Sequence, residues 1–333
     1  KVMRAQGLAR GTIGPMVMLK PLVALGDLTW DVLAKPNTLL LPGGDTTGRV
    51  LLMGGGSAAN VAVWAARVGY PAGFIGEVGR DRFGEFAVQE LAAEGVETHI
   101  VWNSSTPTSV ILVLIDAAGQ RSMLTSQGAD FELRPEEVPV EVIRQAGHLH
   151  VTAWSLFTDP PRQAALKAVH VAREAGVTVS FDPASFQMIR EIGREEFRRM
   201  TRGLSLDFVF PNLEEGQALT GAQDPKDILE VLQKLYPGAM ILLKLAADGA
   251  LILDRGHLIE LPATHDQPVD ATGAGDSFGG AFLGHYLRSK DPLAAGQLAV
   301  QVAGWVIGRF GARPPMDAEV KRRLEQFGLA HKP

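Results

Sequence analysis

The chain has no cysteine in its 333 residues, which removes disulfides, thiolate metal sites and a cysteine nucleophile together. No apolar run approaches the roughly 18 residues that a membrane-spanning helix needs. Net charge is −5 and no basic block exceeds short runs such as residues 321–323, so nothing marks a surface for nucleic acid. The G-x-x-x-x-G-K-[ST] loop, the G-x-S-x-G elbow and the H-E-x-x-H helix are all absent. Of eight histidines only His148 and His150 lie close together; alternation along a strand with no third ligand nearby favours packing over metal binding.

What is present is an ordinary globular composition, 46% hydrophobic and 21% charged, with enough apolar residues for a large core. The length fits one large α/β domain with an appendage. The first twenty residues hold Lys1, Arg4, Arg10 and Lys20 with no acid and no apolar segment. Residues 1–18 are therefore expected to be a disordered extension rather than a secretory signal, and residues 19–330 a single domain. The lack of cysteine fits a cytoplasmic location.

The stretch DATGAGDSFGGAFLGHYL, residues 270–287, carries the most chemistry. Small residues surround Asp276, and an apolar pattern of helical period starts at Phe278, so a loop breaks into a helix here. Unpaired N–H groups and the helix dipole make such a terminus attractive to anions, and Gly273 and Gly275 let the backbone turn its amides inward. An acid in an anion site either caps the helix or acts as a general base on a hydroxyl while the amides hold charge on a transferring phosphoryl group. The residues alone leave both open.

The remaining chain supplies companions. Residues 21–27, PLVALGD, read as a buried first strand, central in its sheet, and Asp31 follows where an acid holds a ligand hydroxyl or simply faces solvent. Residues 32–53 alternate weakly as two short strands outside the main sheet. A second pair is expected at 109–115 and 121–125, so lid strands fall within about 32–53 and 99–125. Between them Gly54, Gly55, Gly56 and an alanine-rich helix fit a loose G-x-G-x-x-A dinucleotide pattern, with Glu77 about twenty residues on, but arrive too late after the first strand for that fingerprint. Asn60 lies one turn into this helix, where its amide suits sugar hydroxyls. From Gly73 strands alternate with helices expected at 82–94, 161–175, 195–200 and 214–219, which argues for a parallel sheet covered on both faces. Asn212 and Glu215 sit three apart at a helix start, the spacing of a helix cap.

Two of these stretches, in this order, resemble the signatures of the ribokinase-like (PfkB) carbohydrate kinases. DATGAGD is similar to the family's D-T-x-G-A-G-D, with Ala271 in place of Thr. Gly55, Gly56, Asn60, Ala62, Arg67 and Gly69 match its N-terminal signature. The resemblance implies a three-layer αβα fold with a mostly parallel central sheet and a small β-sheet lid, and transfer of the ATP γ-phosphoryl group to a sugar hydroxyl, a primary one being expected. It implies Asp276 as catalytic base, an anion hole from Gly273, Ala274 and Gly275, and sugar contacts from Asp31, Gly55, Gly56 and Asn60. It further implies Asn212 and Glu215 beside Mg²⁺ and phosphate, largely through water. KLAADG, residues 244–249, resembles T-L-G-x-x-G beside the nucleotide, but Lys244 and Ala246 depart from its Thr and Gly, leaving Gly249. Asp270, Thr272 and Gly311 match residues around a monovalent cation such as K⁺, with Pro315 where relatives often have Ser. A homodimer through the lid is expected from its strand edges. Free sugar, sugar phosphate and nucleoside all stay open as acceptors, a free sugar being favoured. An NAD-dependent oxidoreductase using residues 54–59, or a silent sugar-binding regulator, are the readings from other classes.

Overall fold

The computed structural model describes residues 19–116, 121–264 and 267–327. The expected extension over 1–18 lies outside these residues, as does most of DAAGQ, residues 116–120, whose composition is that of a turn expected to join the second pair of lid strands. Thirteen strands are described: β1 Leu22–Leu25, β2 Thr29–Pro36, β3 Gly48–Gly55, β4 Ala72–Gly79, β5 Glu97–Asn103, β6 Val110–Ile115, β7 Arg121–Thr125, β8 His148–Thr152, β9 Thr178–Asp182, β10 Phe208–Val209, β11 Met240–Lys244, β12 Ala250–Asp254 and β13 His257–Leu261. Nine form one sheet in the order β13-β12-β11-β10-β9-β8-β1-β4-β5, and the other four form a small sheet in the order β3-β2-β6-β7. The seven strands from β11 to β5 run parallel, while β12 is antiparallel to both its neighbours.

The three layers follow from side chains alternating across a pleated strand. In β1, Leu22 and Ala24 join the core beneath the helices Ser57–Arg67, Ala274–Ser289 and Pro292–Ile307. Val23 and Leu25 point the other way, into the core beneath the helix Pro161–Glu174. Every residue of β1 is buried, as its unbroken apolar run suggests for an interior parallel strand. The helices expected from periodicity appear within a residue or two at Arg82–Ala93, Pro161–Glu174, Arg194–Thr201 and Leu213–Thr220. His148 and His150 pack in the sheet, bonded to Thr178 and Ser180.

Two boundaries differ from expectation. Residues 99–103, placed by their sequence within the lid range, belong to β5, the edge strand of the large sheet, because they pair in parallel with β4. The lid strands β2 and β3 also reach further, to Thr29 and Gly55, so Asp31 lies within a lid strand and not in a loop beyond β1. The inner face of the lid closes over Leu33, Ile111, Val113, Ile115 and Phe310. Its outer face leaves Val50, Leu52 and Leu124 exposed, and Met123 is exposed on the inner side at the edge strand. The lid also grips the loop before Asp276: Arg121 donates to the Ala271 carbonyl and Lys35 Nζ lies 3.5 Å from that of Val269.

Candidate active site

Two helix N-termini meet beneath the lid, and they are finished differently. The helix Ser57–Arg67 starts at Gly56, whose φ of 95° is reserved in practice for glycine, and a Cβ there would lie 2.3 Å from the Asp27 carbonyl oxygen. The Asp27 carboxylate accepts the Ser57 N–H at 2.6 Å and the Ala58 N–H at 3.1 Å. This terminus is therefore closed by a carboxylate of its own. The helix Ala274–Ser289 starts at Gly273 (φ 73°), packed so tightly on Ala312 that a Cβ would come within 2.3 Å. Ala274 N–H bonds Ala271 and Ser277 N–H bonds Gly273. The amides of Gly275 and Asp276 keep no acceptor among the described residues, and they lie at the positive end of the dipole. The two helices are locked together by Gly280 and Gly284, whose Cβ atoms would meet Val61 O and Val68 Cγ2 at 2.5 Å.

Asp276 occupies the third position of its helix, but its carboxylate caps nothing. Oδ1 accepts the Ser57 hydroxyl at 2.6 Å and Oδ2 the Asn60 amide at 2.7 Å. Asn60 is held the right way round because Arg313 Nε donates to its Oδ1 at 2.7 Å. Arg313 also donates to Gly55 O at 2.8 Å, while its buried Nη1 has no partner among the described residues. Burial lowers the Arg313 pKa to about 10, which still leaves it charged at neutral pH. Withdrawal from water raises the Asp276 pKa, against the opposing hydrogen bonds from Ser57 and Asn60; Asp182 and Asp27 add to the rise. A carboxylate made more basic in this way is a better proton acceptor at neutral pH.

Asp31 is buried across the same space, with Thr29 Oγ1 donating to its Oδ1 at 2.7 Å. Burial pushes its pKa up to about 6. Gly55 faces it so closely that a Cβ would fall 2.2 Å from Asp31 Oδ1, which is why a glycine stands there. On the other flank Asn212 caps the helix Leu213–Thr220, and Glu215 returns the bond to the Asn212 N–H at 2.8 Å. Glu215 is buried, and burial together with Asp182 raises its pKa. Lys244 bridges in parallel to Asn212 and forms an ion pair with Asp182 at 2.8 Å. Asp270, Thr272 and Gly311 are knotted together: Asp270 Oδ1 accepts from Thr272 N and Oγ1, and its Oδ2 from Gly311 N at 2.8 Å. Gly249 (φ 88°) makes the tight turn into β12, where a Cβ would strike Leu261 O at 2.0 Å.

Residues 20–319 match the sequence model described as pfkB family carbohydrate kinase. The chain belongs to this family. It is 35% identical over 290 residues to fructokinase-1 of Zea mays, covering 82% of this chain and 88% of that protein. It is 32% identical over 311 residues to the ATP-dependent ribose-1-phosphate kinase of Halopiger xanaduensis, covering 92% and 98%. Among solved structures, the adenosine kinase from Sinorhizobium meliloti superposes with a TM-score of 0.82 at 25% identity, over 93% of this chain and all (100%) of that one. An E. coli protein solved with ATP and Mg²⁺ under the name ribokinase II gives 0.81 at 24%, over 93% and 99%. The architecture is thus the ribokinase-like fold, and the chain is a sugar kinase of the pfkB family.

Seen against that family, the fold gathers Asp31, Gly55, Gly56, Asn60 and Asp276 on one side and Asn212, Glu215 and Gly275 on the other. Reading the sequence missed Ser57, Asp27, Arg313 and the Lys244–Asp182 pair. Asp27 had a local signal, the Gly-Asp that follows β1, and Lys244 stood out as a departure from a motif; the others become partners through contacts between residues 62 to 253 positions apart.

Proposed function

We propose that the chain transfers the γ-phosphoryl group of ATP to a primary hydroxyl of a free sugar, with Asp276 as the general base. The observation that carries this is the Asp276 carboxylate, held by Ser57 and Asn60 on the acceptor side while free amides of its own helix face the donor side. Asp31, Gly55, Gly56 and Asn60 hold the sugar. The acceptor hydroxyl replaces Ser57 or Asn60 at the carboxylate and gives up its proton there. Charge developing on the phosphoryl group is met by the free amides of Gly275 and Asp276, since the Ala274 N–H expected to share this role is already bonded to the Ala271 carbonyl.

Asn212 and Glu215 fit a water-bridged Mg²⁺, because one oxygen of the buried Glu215 carboxylate has no partner among the described residues and a hard cation takes oxygen ligands. When bound, Mg²⁺ would neutralise phosphate charge. Asp270, Thr272 and Gly311 are the residues that would hold K⁺, and Gly249 would shape the nucleotide side. The exposed outer strands of the lid suit pairing of two chains, and use of ATP suits a cytoplasmic location. The Asp27 contacts count against the oxidoreductase reading, since they occupy the amides a dinucleotide pyrophosphate would need.

The test is sugar-dependent ADP formation with Mg²⁺ and K⁺ across pentoses, hexoses, keto-deoxy acids, sugar phosphates and nucleosides, with Asp276→Asn as control. Loss of turnover in that variant by a factor on the order of 10² to 10⁴ is expected, with the fold retained. Near-normal turnover in Asp276→Asn would remove the base assignment. Sugar binding without turnover by the unmodified chain would favour a silent regulator.

A further inference from the structure

The mechanism above gives no role to the buried ammonium beside Gly275. Lys244 ends β11 where the resembled motif carries a short Thr, and its side chain is only 14% exposed. Its single hydrogen bond among the described residues is the one to Asp182 Oδ2, at 2.8 Å. An ammonium has three N–H donors, so two remain without an acceptor. Their position is informative. Nζ lies 3.1 Å from the point where a Cβ on Gly275 would sit, so the ammonium stands against the loop whose amides face the transferring group.

The surroundings explain how a cation stays charged there. Burial works to lower the Lys244 pKa, but Asp182, Glu215 and Asp276 together outweigh it and hold the pKa above its ordinary value. One cation among three carboxylates has more partners than a simple buried pair needs. Glu215 lies beyond ion-pair distance, and Asp182 engages only one donor, so the geometry is not that of a saturated structural salt bridge.

We propose that Lys244 is a catalytic residue of this site, its free ammonium donors contacting the γ-phosphoryl group of ATP while Asp182 fixes its position. The assignment rests on the kinase reading above. A lysine is a point charge suited to phosphate oxygens, and charge spread over the equatorial oxygens of a loose transition state is what a fixed cation stabilises. No bond to Lys244 forms or breaks; the proton still passes from the acceptor hydroxyl to Asp276.

The experiment is calorimetric titration of the full chain with Mg·ATP, Mg·ADP and AMP, alongside Lys244→Met, Lys244→Arg and the double variant Asp182→Asn/Lys244→Met, each checked by thermal melting. Lys244→Met should weaken Mg·ATP by about 10- to 100-fold, the effect of losing a charged hydrogen-bond pair. Mg·ADP should weaken less and AMP should not change. Lys244→Arg should recover part of the loss, and the double variant should stay as weak as Lys244→Met. Unchanged ATP affinity in Lys244→Met would overturn the contact. Equal losses for all three nucleotides, or recovery in the double variant, would reduce Lys244 to a counter-ion of Asp182. Binding needs no acceptor, so a chain that binds ATP yet phosphorylates no compound in the panel still tests Lys244. A chain that binds no ATP would bring down the kinase reading, and this assignment with it.

Discussion

Gly55→Ala is the substitution whose effect can be worked furthest from the geometry. The new Cβ would lie 2.2 Å from Asp31 Oδ1 and 2.3 Å from both Cγ and Oδ2. Non-bonded carbons settle near 3.5 Å, so the carboxylate must retreat by roughly 1 Å. It has little room. Asp31 is 4% exposed, and β2 and β3 are fixed in register with Thr29 opposite Gly55 and Asp31 opposite Met53. Retreat also breaks the 2.7 Å bond from Thr29. Overpacking of this kind costs about 1–3 kcal/mol of stability. A misplacement of about 1 Å in a group that orients a reactant costs on the order of 10²-fold in rate. The expected result is a fall of about 10² in kcat/KM for the acceptor, with ATP affinity unchanged because the donor flank is untouched. The assay is steady-state kinetics with the best acceptor, paired with calorimetric ATP binding. A folded Gly55→Ala protein with acceptor kcat/KM within about threefold of the parent would refute the reasoning, because Asp31 would then either not touch the acceptor or not lie where Gly55 meets it.

Two predictions concern stability. Ala246 takes a φ of 52° at the place where the resembled motif has glycine, so Ala246→Gly should relieve left-handed strain. Offset by the extra freedom glycine has when unfolded, the net gain should be about 0.5–1 kcal/mol, a rise of about 1–3 °C in Tm by scanning calorimetry; a fall in Tm would contradict it. Glu77 is buried, with Asn103 on Oε1 and no partner for Oε2 among the described residues, and burial lifts its pKa to about 7. A carboxyl whose folded pKa exceeds its unfolded one stabilises most below the unfolded value, and that contribution is lost as pH rises through about 7. The Tm difference between Glu77→Gln and the parent should therefore grow in favour of the variant from pH 5.5 to pH 8.5, and a difference independent of pH would count against it.

How much of this was readable in the chain follows from the range of each interaction. Alternation of strands and helices gave the parallel sheet because hydrophobic period is a local property, and β1 and its burial were plain from seven residues. The loop-to-helix break at Gly273 was plain for the same reason. Strand partners were not: residues 99–103 have the half-exposed pattern of either a lid strand or an edge strand, and only pairing with β4 decides between them. Site residues divided in the same way. Asp276 announced itself by sitting where an acid is electrostatically out of place, whereas Arg313 lies in a segment that suggested only a cation loop. Its link to Asn60 spans 253 positions. Lys244 looked like a defect in a motif, and its meaning came from Asp182, 62 residues earlier on a different strand.

The two helix termini show why motif and chemistry can separate. In sequence the glycine run before Ser57 and the one before Asp276 look alike, each a small-residue loop opening a helix. In the fold they have opposite electrostatic character. Asp27, two residues beyond β1, takes up the amides of Ser57 and Ala58 with its carboxylate, so those donors are already engaged and the helix presents Ser57 and Asn60 side chains instead. Asp276 points its carboxylate away from its own amides toward those two side chains, which leaves the second dipole open. One helix thus offers polar groups suited to hydroxyls and the other offers backbone suited to phosphate. The Asp276 carboxylate stands between them, accepting from both side chains of the first helix while lying in the first turn of the second, an arrangement that suits the proton transfer coupled to phosphoryl transfer proposed above.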